Sequence, residues 1–486
     1  MAVIKPSSLA HTIGAYRGMA MGAKVIRLAV WTLPLILLGC VAEPRIDVAG
    51  DIARVSGVDD AVVVREHAQE DQAPTTGPAI LSRGEALRLA LHHDPRIQGA
   101  IAKVRLAQAE AQQTRLLPNP ILNIDVRFPE GGGTQTVEAS LTGDLIAILT
   151  MPGRIKAVDQ RLRGASADML GTVLDVIAEV QEAYAAVLLA DAEAQVLSRR
   201  DEILRQLRSV AGNRVAAGEG TRLDVLTLDT QLLQLEMEVS DNRLERTQQR
   251  LVLARLIGQP RGETNWELEP WQAPVQINAG ESAWIDAALA NRPEIQSRAW
   301  ELAALGEEVN LASLAPLEGG EIGAHGERDQ SWAVGPTFTT PLPIFDFGQG
   351  ARAKAIASRN AANHELQQQR AEVIEEIRRA YAVYAAAESS LDMAVSRLLP
   401  LQQQQRAQAE LAYRNGEADL TTLLLADADL QETQSKVVEM QQKLTQAVIR
   451  LERAAGGASA TAPLEKSRAA TQPATTQSAQ TQGLVP

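Results

Sequence analysis

Side chains able to do chemistry are sparse in this 486-residue sequence, and the most telling is its single cysteine, Cys40. A lone thiol builds neither a disulfide within one chain nor a Cys-based metal site. It stands instead at the end of an ordered leader. Lys24 and Arg27 precede a run from Leu28 to Leu38 that is apolar except for Thr32, and Leu37-Leu38-Gly39 leads into Cys40. A basic start followed by a short apolar run is an export signal; a membrane-spanning helix needs about 20 apolar residues. Leu37 and Gly39 fit a lipobox, so residues 1–40 are expected to be a lipoprotein signal peptide and Cys40 the lipidated first residue, carrying palmitate-type acyl chains. Initiation at Met19 or Met21 would give a leader of ordinary length. Val41, rather than Asp, follows the cysteine, which is compatible with sorting to the outer membrane.

The remaining candidates exclude more than they offer. His92-His93 precede Asp94-Pro95 at a helix entry, with no third ligand at metal spacing. Gly131-Gly132-Gly133 lies between two strand-like runs, with no helix start to hold a phosphate. No nucleophile sits in a recognisable setting, so the sequence reads as no enzyme, with no cofactor and no metal site. The net charge of −13 comes without a basic patch, which argues against nucleic acid. That acidity serves solubility or lines a lumen that attracts cations.

The elements around these residues occur twice. Asp94-Pro95-Arg96-Ile97 answers Arg292-Pro293-Glu294-Ile295, Arg154 answers Arg352, Gly218-Glu219 answers Gly416-Glu417, and Ile257-Gly258 answers Ala455-Gly456, each at a step of 198. A constant step over most of the chain is an internal duplication. Aromatics are only 3%, and the abundance of Ala, Leu, Gln, Glu and Arg favours long helices.

Each half reads as helices, a β-hairpin, a long helix, a turn and a long return helix. Ser82 caps a helix carrying Leu87, Ala90 and Leu91. A second helix runs from about Pro95 to Leu117 and stops at Pro118-Asn119-Pro120. The period then changes to two. Leu122, Ile124, Val126 and Phe128 alternate with Asn123, Asp125 and Arg127, and after the glycines Val137, Ala139 and Leu141 alternate with Glu138, Ser140 and Thr142. The second half repeats this more weakly, with Ile322 and Ala324, then Trp332, Val334 and Phe338. Such strands suit either a membrane barrel, apolar outside and wet inside, or a soluble hairpin packed on helices.

The proline-free stretch from Ile155 to Asn213 would span about 90 Å as a helix. The return helix carries a heptad, Leu223, Thr230, Met237, Leu244 and Leu251, with Leu226, Leu233, Ser240, Thr247 and Ala254 at the second position. Leu423, Leu430, Val437, Leu444 and Leu451 make the corresponding stripe in the second half. Both predict antiparallel coiled-coil packing. The expected organisation is a linker over 41–79, a first repeat over 80–280 (β-hairpin about 121–146, helical hairpin about 155–257), a second over 281–456 (β-hairpin about 320–341, helical hairpin about 350–455) and a disordered tail over 457–486.

With Leu117-Pro118-Asn119-Pro120 before the first hairpin, Pro341-Leu342-Pro343-Ile344-Phe345-Asp346-Phe347-Gly348 after the second, and the turns Arg214–Leu226 and Tyr413–Leu424, the chain resembles the TolC family of outer-membrane efflux proteins over about 80–456. The resemblance implies a mainly α fold with a membrane β part. It is a homotrimeric α-helical barrel with a shared 12-stranded β-barrel, four strands per protomer, held in outer-membrane lipid and reaching into the periplasm. Such a protein is a passive duct in a tripartite efflux system. A periplasmic adaptor docks on the helical tips, and an inner-membrane pump, here of the RND type, supplies the energy. The lipid anchor and the Pro-Asn-Pro entry look like the CusC and CzcC branch, which serves heavy-metal efflux. Export of drugs or other organic solutes, type I secretion, and, from another class, a periplasmic coiled-coil scaffolding lipoprotein are the alternatives. Two symmetric alternating hairpins do not fit the scaffold.

In such a trimer each tip residue recurs three times. Arg214, Gly218, Glu219, Asp224, Asn415, Gly416 and Glu417 are then the adaptor-docking residues. Tyr413, Arg414, Asp419 and Arg222 are the candidate periplasmic gate, with Asp427 and Asp429 as its alternative position. Gly218 and Gly416 suit the left-handed backbone of a tight reversal.

Overall fold

The computed structural model describes residues 46–57, 80–128, 130, 135–218, 220–269, 279–328 and 331–457. Cys40 and its leader, Glu219 and the tail from 458 lie outside them. Part of the expected linker is a helix, α1 (Val48–Ser56). Asp47 accepts from the Gly50 N–H at 3.0 Å, Gly57 at φ 67° closes the far end, and Ile52 is 1% exposed in the core. Both caps are legible, but nine residues with one buried position are too few for a periodicity to register.

Strand β1 (Ile80–Leu81) pairs in parallel with β4 (Glu267–Leu268), and the buried Tyr184 hydroxyl donates to Leu81 O at 2.9 Å and Glu269 O at 3.1 Å. Ser82 caps α2 (Arg83–His93), accepting from the Glu85 N–H at 3.1 Å. Asp94 caps α3 (Pro95–Thr114), where Pro95 occupies a first-turn position that needs no N–H. In the second repeat α6 (Glu281–Asn291) and α7 (Pro293–Leu311) repeat this pair.

The two hairpins merge into one antiparallel sheet of order β2-β3-β5-β6, made of β2 (Ile121–Arg127), β3 (Thr136–Asp144), β5 (Glu321–Arg328) and β6 (Trp332–Thr339). Register decides its faces. Leu122↔Leu141↔Ala324↔Pro336, Ile124↔Ala139↔Gly326↔Val334 and Gly143↔Ile322↔Phe338 form transverse rows on one side. On the other lie Asn123↔Ser140↔His325 and Asp125↔Glu138↔Glu327, with Arg127 bridging to Glu138 at 3.1 Å. The apolar face is bare: Ile124 is 63% exposed and Val334 75%. Among the described residues no strand pairs with the outer sides of β2 and β6, which are the sheet's edges.

Long helices continue from the sheet. α4 (Leu145–Ala216) starts ten residues before the expected 155, because Asp144 caps it by accepting from the Ala147 N–H at 2.8 Å and Pro152 is accommodated early in the helix. α5 (Arg222–Leu256) returns along it. The second hairpin is α8 (Gln349–Met393), a π-helical turn (Ala394–Leu398), α9 (Leu399–Asn415) and the return helix α10 (Leu420–Ala455). Pro400 removes an N–H from the helix ladder, and a wider turn directly before it absorbs the mismatch.

Lateral packing runs α5, α4, α10, then α8 with α9. Three cores hold it. One lies under α2, α3 and α4, one under α6, α8 and α10, and one joins Leu197, Leu204, Leu228, Leu235, Tyr413 and Leu423 towards the tips. Among the described residues no helix is long and apolar enough to cross a membrane.

The two heptad stripes behave oppositely. Leu423 (0% exposed), Leu430 (9%) and Leu451 (0%) face inward, because α10 lies between α4 and α8. The stripe on α5 faces out instead: Leu223, Leu226, Leu233, Met237, Leu244 and Leu251 are all exposed. This corrects the expected seam. α5 meets α4 through a second stripe about 140° away, which includes Leu228, Leu235 and Leu256, all buried.

Candidate functional site: the free edges and the helical tips

The site is a slab that ends in unpaired material on both sides. At the sheet, β2 and β6 present unpaired backbone groups. Below it, the apolar stripe of α5 marks one edge, and Met393, Val395, Leu398, Leu401 and Leu411 stand exposed on the other. In both layers first-repeat elements form one edge and second-repeat elements the opposite one. An edge strand with open hydrogen bonds and an apolar face cannot sit in lipid alone.

At the far end of the slab, Gly218 (φ 82°) and Gly416 (φ 76°) reverse the two hairpins. Nothing lies within 4 Å of a Cβ placed at either, so backbone conformation alone selects glycine there. Asp224 and Thr221 form a reciprocal capping box at the start of α5. Asp419 caps α10, accepting from the Thr422 N–H at 2.9 Å and hydroxyl at 2.6 Å, and these bonds hold its carboxyl below the usual aspartate range. Both carboxylates thus have structural work within one chain. Arg222, Asn415 and Glu417 are exposed. Arg414 pairs with Glu410 one turn back on its own helix.

Tyr413 and Arg214 come together across the hairpins. Tyr413 is 2% exposed, the Arg214 guanidinium lies 4.9 Å from its ring centroid, and Arg214 Nη1 donates to Tyr413 O at 3.3 Å. This joins α4 to α9 within one protomer.

Sequence reasoning left one layer unassembled. Asp427 is 5% exposed, and the Arg406 guanidinium on α9 lies 3.7 Å away. Burial pushes the Asp427 carboxyl up, against the opposing pull of Arg406 and of Arg200 on α4. Arg200 binds Glu238 of α5 at 3.0 Å, and Gln431 of α10 reaches the same carboxylate at 3.5 Å. The available signal was Asp427 itself, a charge seven residues after Leu420 on an apolar stripe. A buried polar layer in a helical seam fixes register more than it adds stability. Among the described residues no group of three His, Cys, Asp or Glu is placed to hold a metal ion.

Comparison with known proteins agrees with this architecture. The pattern of the family described as "Outer membrane efflux protein" matches residues 86–259 and again 284–457, the same 198-residue step as the duplication. The chain is 22% identical over 385 residues to the "Cobalt-zinc-cadmium resistance protein CzcC" of Cupriavidus metallidurans, covering 78% of this chain and 90% of that protein. Among solved structures, the outer-membrane channel OprN superposes with a TM-score of 0.63 at 21% identity, over 87% of this chain and 98% of that one. CusC superposes with a TM-score of 0.65 at 17% identity, over 77% and 92%. With both repeats matched, and with a four-stranded sheet running into a slab of long helices, this chain belongs to the outer membrane efflux protein family.

Proposed function

We propose that this efflux protein works as a homotrimeric duct: a passive channel from a periplasmic adaptor and an inner-membrane pump to the exterior. The observation that carries the reading is the open-edged slab. It has a sheet with one apolar and one polar face, continuous with helices that also have two unpartnered edges. Four strands cannot close, since membrane barrels begin at eight. Three copies give twelve, with Asn123, Asp125, Glu138 and His325 turned to the water-filled side. The adaptor meets the tips around Arg214, Gly218, Glu219, Asp224, Asn415, Gly416 and Glu417. The contact of Arg214 with Tyr413, beside Arg414, Asp419 and Arg222, keeps the periplasmic entrance narrow, and an RND-type pump drives export.

Heavy-metal cations are the favoured cargo, supported by the likeness to a protein named for cobalt, zinc and cadmium resistance. The purified oligomer should conduct ions across a planar bilayer, and Arg214→Ala with Tyr413→Ala should raise that conductance severalfold. An oligomer that inserts without conducting would falsify the duct. Cells lacking the protein should lose tolerance to cobalt, zinc or cadmium; loss confined to organic drugs would move the substrate to that class.

Cys40 carries the lipid anchor in this reading. Cys40→Ser should abolish incorporation of labelled palmitate and leave an altered or uncleaved precursor, while the barrel still holds the oligomer in the membrane. Unchanged processing would show that Cys40 is not the anchor.

A further inference from the structure

The second repeat departs from the first at one edge. After β3 the chain enters α4 directly. Leu145 N–H donates to Gly320 O at 2.9 Å, and Ile146, 8% exposed, packs over Gly320, where an added Cβ would lie 3.3 Å from Ile146 Cγ1. That contact closes the seam between the two repeats of one chain, where β3 meets β5. After β6 the chain instead runs through Pro341-Leu342-Pro343-Ile344-Phe345-Asp346-Phe347 before α8 begins. Ile344 stands 198 residues after Ile146, the step of the duplication, yet it is 64% exposed. Among the described residues no further strand follows β6 for it to cover.

This strap is ordered although its apolar side chains face outward. Asp346 Oδ1 accepts from the Gly348 N–H at 2.8 Å, and Gln349 Oε1 accepts from the Phe347 N–H at 2.8 Å. Gly348, at φ 76°, is seated so closely that an added Cβ would lie 2.8 Å from Pro316 Cγ. Phe345 projects from this frame with 91% of its surface free, beside Leu342 at 76% and Phe347 at 67%. Holding large apolar groups in one exposed arrangement opposes the hydrophobic effect, unless they enter a partner already in the right shape.

The opposite edge offers the counterpart. Leu116 and Leu117 are 54% and 52% exposed and lead through Pro118-Asn119-Pro120 into the edge strand β2, whose Ile121 is 54% exposed. That segment enters β2 as the Leu317–Gly320 turn enters β5. We propose that the Leu342–Phe347 strap is a clasp for a second copy of this chain: it covers the Leu116–Ile121 segment of the next protomer, as Ile146 covers Gly320 within one. The inference rests on the duct reading, which supplies the neighbouring copy. Lipid is the rival occupant. The internal precedent favours protein, because the residue standing at the repeat position of Ile344 already performs this contact against a strand entry.

The test uses the full-length protein carrying Phe345→Cys together with Leu117→Cys, treated in membranes with a short flexible bis-maleimide. Covalent oligomers should appear after boiling in the double variant and remain at background in either single variant. Phe345→Ser should also lower the temperature at which the detergent-extracted oligomer dissociates, while Trp332→Ser on the apolar sheet face leaves it unchanged. Should a wild-type oligomer persist but the double variant fail to cross-link, the clasp falls alone. It equally falls if Phe345→Cys in the assembled oligomer reacts with a lipid-soluble maleimide as fast as Val334→Cys. A wild-type chain that is monomeric after gentle extraction removes the duct reading, and the clasp with it.

Discussion

Leu233→Glu combined with Leu244→Glu is expected to yield a folded protomer that no longer assembles. Both side chains point away from α4, at 62% and 59% exposure, so the protomer's own cores lose nothing. In a closed ring the same stripe must lie against the next copy. An uncompensated carboxylate in such a contact costs at least several kcal/mol, and a three-copy ring repeats the penalty at every seam. Size-exclusion in mild detergent should show loss of the oligomer, and circular dichroism should show unchanged helix content. Leu235→Glu is the contrast. That residue is 1% exposed inside the tip core, so its replacement should unfold the hairpin itself. An oligomer that survives the double substitution would show that α5 is not a seam helix.

Arg453→Leu should produce the largest loss of protomer stability among the surface-reaching charges. Arg453 Nη2 binds Asp175 of α4 and Glu294 of α7, both at 2.7 Å. Arg292, whose side chain is 6% exposed, holds the other oxygen of Glu294 at 3.2 Å and reaches Glu376 of α8 at 2.5 Å. One network therefore ties four helices from both repeats. Arg453 (17% exposed) and Glu294 (28%) are the sheltered members, while Asp175 and Glu376 are half in water, so removing Arg453 leaves Glu294 without its main partner and costs about 1–3 kcal/mol. Arg450→Leu, by contrast, deletes a 64% exposed partner of Glu182 and should cost about 0–1 kcal/mol. Thermal unfolding of the two variants should separate widely, and equal midpoints would remove the network from the account of stability.

The pH dependence has a defined sign. Burial alone would raise the Glu294 carboxyl, but Arg453 and then Arg292 outweigh it and hold it below the usual glutamate range. A carboxylate depressed in the folded state stabilises the fold above its ordinary value. That contribution is lost as pH falls through the depressed one. Arg453→Leu should therefore flatten the acid limb of the stability profile.

What the sequence determined by itself is local or periodic. The duplication is visible because four pairs of residues keep one step. Ser82, Gly218 and Gly416 mark element ends because caps and reversals depend on a few adjacent residues. The hairpins declare themselves through alternation, since neighbouring residues in a strand must face opposite sides. Tertiary structure alone decided where each face points. α5 carries two apolar stripes, and its position at the slab's edge, not its composition, turns Leu228 inward and Leu233 outward. The sequence places Asp224 and Asp419 at the helical tips, as docking and gate residues, and their work as caps appears only once the backbone N–H groups they accept from are in place. Asp427 and Arg406 lie 21 residues apart, on opposite arms of a turn. Only the antiparallel return of α10 along α9 brings them together, because a long-range contact is fixed by packing and not by the residues on either side of it.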